Sequence, residues 1–164
     1  IDGEDAKDFD DAIHCSMTES GFTLRVAIAD VSFYVKPNSA LDKEARKRTT
    51  SVYLPKKVIP MLPEKLSNEL CSLQPNKRRR CLCVNISFDK NGHIEEYTFQ
   101  RGIIRSAARL TYNQVEEFIN SGIENVVYEN SLKSSFFLFE KLLKNRKSSG
   151  ALDFEISLLV APKS

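Results

Sequence analysis

Six carboxylates crowd the first eleven residues of the chain, IDGEDAKDFDD: Asp2, Glu4, Asp5, Asp8, Asp10 and Asp11. Only Lys7 opposes them, so this head carries a formal charge of −5. Like charges held a few ångströms apart cost several kcal/mol unless a proton or a cation intervenes. A compact fold must therefore bring something positive into the head, or else leave it as a solvated acidic loop.

The spacing gives the first possibility a geometry. In an extended segment Asp8 and Asp10 share one face and Asp11 points to the other, while Asp2 returns only through the Gly3 turn. Hard oxygen donors in this number suit magnesium, with manganese as the alternative, because such ions join carboxylates to substrate phosphates. Two ions about 3.5 to 4 Å apart activate water and stabilise a leaving oxygen in phosphodiester hydrolysis. An EF-hand fails on register: starting at Asp8, the glycine position holds Ile13 and the third ligand position holds Ala12. Helix N-terminal charging is disfavoured by Phe9 and Ala12-Ile13, which fit a strand. The solvated loop stays open at this level.

The chain has 164 residues, 41% hydrophobic and 28% charged, enough for one globular domain with its own core. Its net charge is +2, so residues 12 to 164 carry +7 against the acidic head, a segregation that fits a polyanionic partner. No apolar run approaches the roughly 18 residues of a membrane span and no signal segment opens the chain, so a cytoplasmic protein without a membrane partner is expected. Cys15, Cys71, Cys81 and Cys83 form no secreted framework and are expected as reduced thiols. Zinc is disfavoured, since Cys81 and Cys83 stand two apart while His14 and His93 are remote. Opening on Ile1 and closing on APKS, the chain reads as a piece of a longer protein.

The expected architecture is mixed α and β (α+β), mostly antiparallel hairpins with flanking helices. Ala12 to Thr18 and Phe22 to Ala29 predict paired strands around Ser20-Gly21, with Phe22, Leu24, Val26 and Ile28 on one face. Ser39 with Asp42 predicts a capped basic helix through Arg48. Residues 51 to 63, SVYLPKKVIPMLP, hold three prolines and predict an extended surface segment. A short helix follows Pro63, and Arg80 to Phe88 and His93 to Ile104 predict a second hairpin around DKNG. Thr111 with Gln114 caps a helix ending near Ser121-Gly122, a longer helix runs from Ser131 to about Ser148 with Gly150 as its stop, and ALDFEISLLV predicts a strand.

Taken in order, IDGEDAKDFDDAI, LRVAIADVSFYV, SVYLP, IPMLPEKLSNELCSL, ARLTY and GALDF closely resemble the catalytic RNB domain of the ribonuclease II and ribonuclease R family. The resemblance spans nearly the whole chain and is strongest toward the ribonuclease R branch. It implies the N-terminal half of an RNB catalytic domain in a processive enzyme that degrades single-stranded RNA from its 3′ end to nucleoside 5′-monophosphates with a divalent metal. The family's four motif aspartates fall on Asp2, Asp8, Asp10 and Asp11 as metal ligands, with Asp10 the catalytic member. Tyr53 and Phe154 fall on the two aromatic residues that clamp the terminal base. The resemblance also implies that this piece lacks a later catalytic arginine, a downstream glutamate and the flanking cold-shock and S1-type domains, so it is not expected to be active alone. A non-catalytic RNA-binding relative is the alternative. The basic runs at 43 to 48, Lys56-Lys57 and 76 to 80 are taken as solvated faces.

Overall fold

The structure is a computed structural model that describes residues 1–55, 57–121 and 128–150. Two hairpins dominate it. Strand β1 (Asp11–Met17) pairs with β2 (Gly21–Ala29), and β5 (Arg78–Asp89) pairs with β6 (Ile94–Arg105). The hairpins join through an antiparallel β2–β5 ladder, giving one four-stranded sheet in the order β1-β2-β5-β6. That ladder carries the fold: nothing local in the sequence specifies it, yet it sets Phe22 opposite Phe88 and Ala29 opposite Cys81.

Side chains alternate across a sheet, so this register sorts two cores onto opposite faces. On one face Cys15, Phe22 and Phe88 are buried beneath Leu138 of α4 (Glu129–Ser148), with Leu24 and Ile86 packed alongside. On the other, Ala27, Ala29, Cys81 and Cys83 pack against Leu66, Cys71 and Leu73. The predicted face of β2 is therefore only half used: α4 covers the Phe22 end, whereas Ile28 at the other end is 46% exposed. Leu82 opposite it is also exposed.

Turn chemistry explains how the hairpins close. Gly92 sits at φ +85°, and an added Cβ there would lie 2.9 Å from Lys141 Cβ on α4, so the turn needs glycine for both conformation and room. The Asn145 amide then donates to the Asn91 carbonyl at 2.9 Å, tying the far end of α4 to this turn. At the near end the Cys15 N–H donates to Ser131 Oγ at 3.0 Å.

The remaining helices follow their caps. Ser39 Oγ accepts from the Asp42 N–H at 3.2 Å at the start of α2 (Ala40–Arg48), while the Asp42 carboxylate accepts from Asn38 N, one residue before the position a full capping box uses. For α3 (Tyr112–Ser121) the box is complete: Gln114 N–H donates to Thr111 Oγ1 and Thr111 N–H to Gln114 Oε1. A single-turn helix α1 (Val31–Tyr34), absent from the sequence reading, follows β2.

Two expectations need correction. Residues 51 to 63 do not run simply extended; β3 (Val52–Leu54) and β4 (Lys57–Ile59) fold back as a small antiparallel hairpin. Pro55 and Pro60 lie just outside its strands, where a missing N–H costs no ladder bond. The short helix after Pro63 is a π-helix, Lys65–Leu70, closed by the Cys71 N–H donating to the Leu66 carbonyl at 2.8 Å. The predicted strand ALDFEISLLV lies outside the described residues. All four cysteines are free and buried, and burial beside Cys83 pushes the Cys81 thiol up to about 12, which keeps it protonated and inert.

Because Leu138 is the one helical side chain sealed into the first core, Leu138→Ala should cost about 2 to 5 kcal/mol in urea unfolding. Leu142→Ala, on an exposed part of the same helix, should cost under about half as much.

Candidate active site

The acidic head is an ordered loop pinned from three sides by backbone hydrogen bonds. Ser72, fully buried, places its hydroxyl between two residues that flank Asp8: it donates to the Lys7 carbonyl at 2.8 Å and accepts from the Phe9 N–H at 3.1 Å. Leu73 N–H donates to the Phe9 carbonyl, and Ala29 N–H to the Asp10 carbonyl, both at 2.8 Å. Asp2 is held separately, its N–H donating to Leu110 O at 3.1 Å beside an isolated parallel bridge to Thr111. The second core thus serves as the floor of the head.

These ties deliver Asp2, Asp5, Asp8, Asp10 and Asp11 to the wall of a single cavity of about 730 Å³. Tyr53 and Val58, cross-strand partners in the β3–β4 hairpin, line the same cavity, as do Ser67 and Asn68 of the π-helix. Tyr53 is 68% exposed, and its phenol donates to Asp8 Oδ2 at 3.4 Å. Carboxylate charge, Asp8 first, raises the proton affinity of that phenol. Asp10 also holds its proton more tightly than an ordinary aspartate: burial is the larger cause, followed by the charges of Asp8, Asp11 and Asp2.

The four sequence-predicted aspartates therefore share one cavity, but they do not form a ready-made cage. Among the described residues, no three histidine, cysteine, aspartate or glutamate side chains stand as a ligating group. Mutual repulsion keeps equal charges apart, and a divalent cation reverses the sign of that interaction. An all-oxygen donor set with a raised Asp10 proton affinity fits a hard divalent ion. Glu4 does not line the cavity; its carboxylate accepts from the Asn113 amide at 3.1 Å. Phe154 lies outside the described residues, as does Lys56. On α2, Arg46 pairs with Asp42 at 3.1 Å and Arg48 with Glu44 at 2.9 Å.

Sequence reasoning missed three contributors: Ser72, the Ser67-Asn68 pair, and Arg109, whose guanidinium donates to the carbonyls of Gly3 and Glu4. Ser72 and Arg109 bond to the head from more than 60 positions away and Ser67-Asn68 meet it only at the cavity wall, so no local spacing reveals them. The only available signal was their place inside the IPMLPEKLSNELCSL and ARLTY blocks.

The α+β fold thus sets an oxygen-donor cavity beside an exposed aromatic ring, Tyr53. The RNB domain family model matches residues 1–163, and the chain belongs to that family. It is 49% identical over 157 residues to the ribonuclease R of Mycoplasmopsis pulmonis, a match covering 95% of this chain and 22% of that protein. Ribonuclease R of Escherichia coli is 44% identical over 161 residues, covering 94% of this chain and 20% of the relative. The solved structure of Mycoplasma genitalium RNase R with double-stranded RNA superposes with a TM-score of 0.88 at 42% identity, over 93% of this chain and 28% of that one. The chain thus spans about a fifth of the length of these curated relatives.

The charge balance at Asp10 makes a stability prediction. A carboxylate whose folded pKa is raised is penalised while ionised, so the penalty operates above that pKa and disappears below the unfolded value. In chelator-treated protein, Asp10→Asn should raise the melting temperature at pH 7, and the gain should shrink as the pH falls toward 4. A thermal scan across pH checks both the sign and its trend.

Proposed function

We propose that the chain is part of the catalytic core of a 3′→5′ exoribonuclease that hydrolyses single-stranded RNA processively to nucleoside 5′-monophosphates. The observation that carries this reading is that Asp2, Asp8, Asp10 and Asp11 line one cavity together with Tyr53, whose phenol reaches Asp8. The RNB family membership and the ribonuclease R relatives support it.

In this reading Asp2, Asp8, Asp10 and Asp11 hold divalent ions, magnesium or in its place manganese. Bound there, such ions supply Lewis-acid stabilisation and an activated water for phosphodiester cleavage. The chain's own residues do the rest. Ser72 and Ala29 fix the backbone around Asp8 and Asp10, so the carboxylates meet the scissile phosphate from a rigid floor. Tyr53 stacks on the terminal base, and Phe154 is the second aromatic that the family resemblance assigns to the clamp. Stacking contributes about 1 to 3 kcal/mol per base without reading base edges, which suits a sequence-tolerant exonuclease. An RNA 3′ end is the partner, the cytoplasm is the site of action, and no described helix is long and apolar enough to cross a membrane.

RNase R of Mycoplasma genitalium has been solved in complex with ribose methylated single-stranded RNA, which supports RNA as the ligand here. A binding-only relative is the competing reading, but a nest of carboxylates facing phosphate repels the ligand such a module would need to hold.

Two substitutions in the complete polypeptide test the assignment. Asp10→Asn should lower hydrolysis of a 3′-tailed RNA by about 10²-fold or more while leaving RNA affinity within about threefold. Undiminished turnover contradicts it. Tyr53→Ala should weaken RNA binding by about 1 to 3 kcal/mol, whereas Tyr53→Phe, which keeps the ring, should lose far less.

A further inference from the structure

One positive group is built into the flank of the acidic head without touching its cavity carboxylates. Arg109 Nη2 donates to the Gly3 carbonyl and, at 2.8 Å, to the Glu4 carbonyl. Its guanidinium carbon lies 5.6 Å from the centre of the Phe9 ring, beside the pinned segment. The next two residues continue the attachment: Leu110 O accepts from Asp2 N–H at 3.1 Å, and Thr111 bridges to Asp2 while capping α3. Asp2 is the one aspartate of the four that lies outside the Lys7–Asp11 run, and the Gly3 turn is the only path by which it reaches the others.

A turn carrying glycine and two of the head's six acids has every electrostatic reason to swing outward. Both bonds leave the one nitrogen, Nη2, whose two hydrogens are fixed in the guanidinium plane and so pre-organised for two carbonyls one residue apart, whereas an ammonium must give up rotational freedom to do the same. Among the described residues Arg109 makes no ion pair with a carboxylate, so it restrains the turn without consuming an oxygen that a cation would use.

We propose that Arg109 is a positioning residue of the carboxylate site: by clamping the Gly3 and Glu4 carbonyls it delivers Asp2 to the cavity shared with Asp8, Asp10 and Asp11. The inference rests on the metal-dependent reading above. It makes a claim whose sign opposes simple electrostatics. Removing a nearby positive charge should tighten cation binding if Arg109 acted only through its field. Losing a positioning group should weaken it.

The test is direct Mn²⁺ binding to the complete polypeptide, followed by electron paramagnetic resonance without RNA, for wild type, Arg109→Gln, Arg109→Lys and Asn113→Ala. Arg109→Gln should raise the Mn²⁺ dissociation constant about tenfold, with Arg109→Lys between it and wild type. Asn113→Ala, which removes only the Glu4 side-chain contact at 3.1 Å, should match wild type. In RNA hydrolysis, Arg109→Gln should shift the metal midpoint by a similar factor, with kcat recovered at saturating metal and KM for RNA within twofold. Unchanged or tighter Mn²⁺ binding in Arg109→Gln overturns the proposal, as does a raised RNA KM with an unmoved metal midpoint. If Arg109→Gln fails to fold, Arg109→Lys carries the same test, and wild-type affinity there overturns the proposal. Wild-type protein that binds no Mn²⁺ overturns the metal-dependent reading itself, and this inference with it.

Discussion

The self-repulsion of the N-terminal aspartates is the constraint around which this fold is arranged. Carboxylates sharing a cavity oppose folding, and the raised proton affinity of Asp10 reflects its burial first and the charges of Asp8, Asp11 and Asp2 after it. The fold holds them by the main chain instead of by ion pairs. Ser72, Leu73, Ala29, Leu110 and Arg109 all bond to backbone atoms of the head. Main-chain ties leave carboxylate oxygens available to a ligand, whereas salt bridges would neutralise them. In the proposed reading such a site trades stability for function, because the groups that cost the fold are those the proposed chemistry would use.

The two-sided sheet explains how so small a domain supports that cost. One core, closed by Leu138, fixes the turn end of the sheet; the other, under Cys71 and Leu73, forms the floor of the head. Neither core alone would order both the strands and the loop. Cys81 and Cys83, side by side at 3.4 Å, belong to this packing and act as small apolar groups. The same register leaves Ile28 and Leu82 in solvent at the end of the sheet beyond α4.

Local signals made much of this legible. The hairpin at Asn91-Gly92, the Thr111–Gln114 box and the extent of α4 each depend on residues a few positions apart, and each appears nearly where the sequence places it, although the side chain that α4 seals into the core is Leu138 while Phe139 and Leu142 stay exposed. What local reading misses is long-range: the β2–β5 ladder, Ser72 reaching back 63 to 65 residues, and Arg109 reaching back 106. Residues 51 to 63 fail differently. Their prolines correctly exclude a helix or central strand, but proline positions just outside two short strands permit a hairpin that the extended reading overlooked. At the site, spacing alone left a solvated acidic loop open; it took the pinning bonds to separate an ordered cavity from a loose charged tail.

The central claim is that this anionic head closes on divalent cations. Crystals of the complete polypeptide soaked in Mn²⁺ and measured for anomalous scattering test it most directly. The account predicts anomalous peaks within ligating distance of Asp2, Asp8, Asp10 and Asp11, lost in Asp10→Asn. An ordered head with no peak there, or peaks only at surface carboxylates elsewhere, would contradict it.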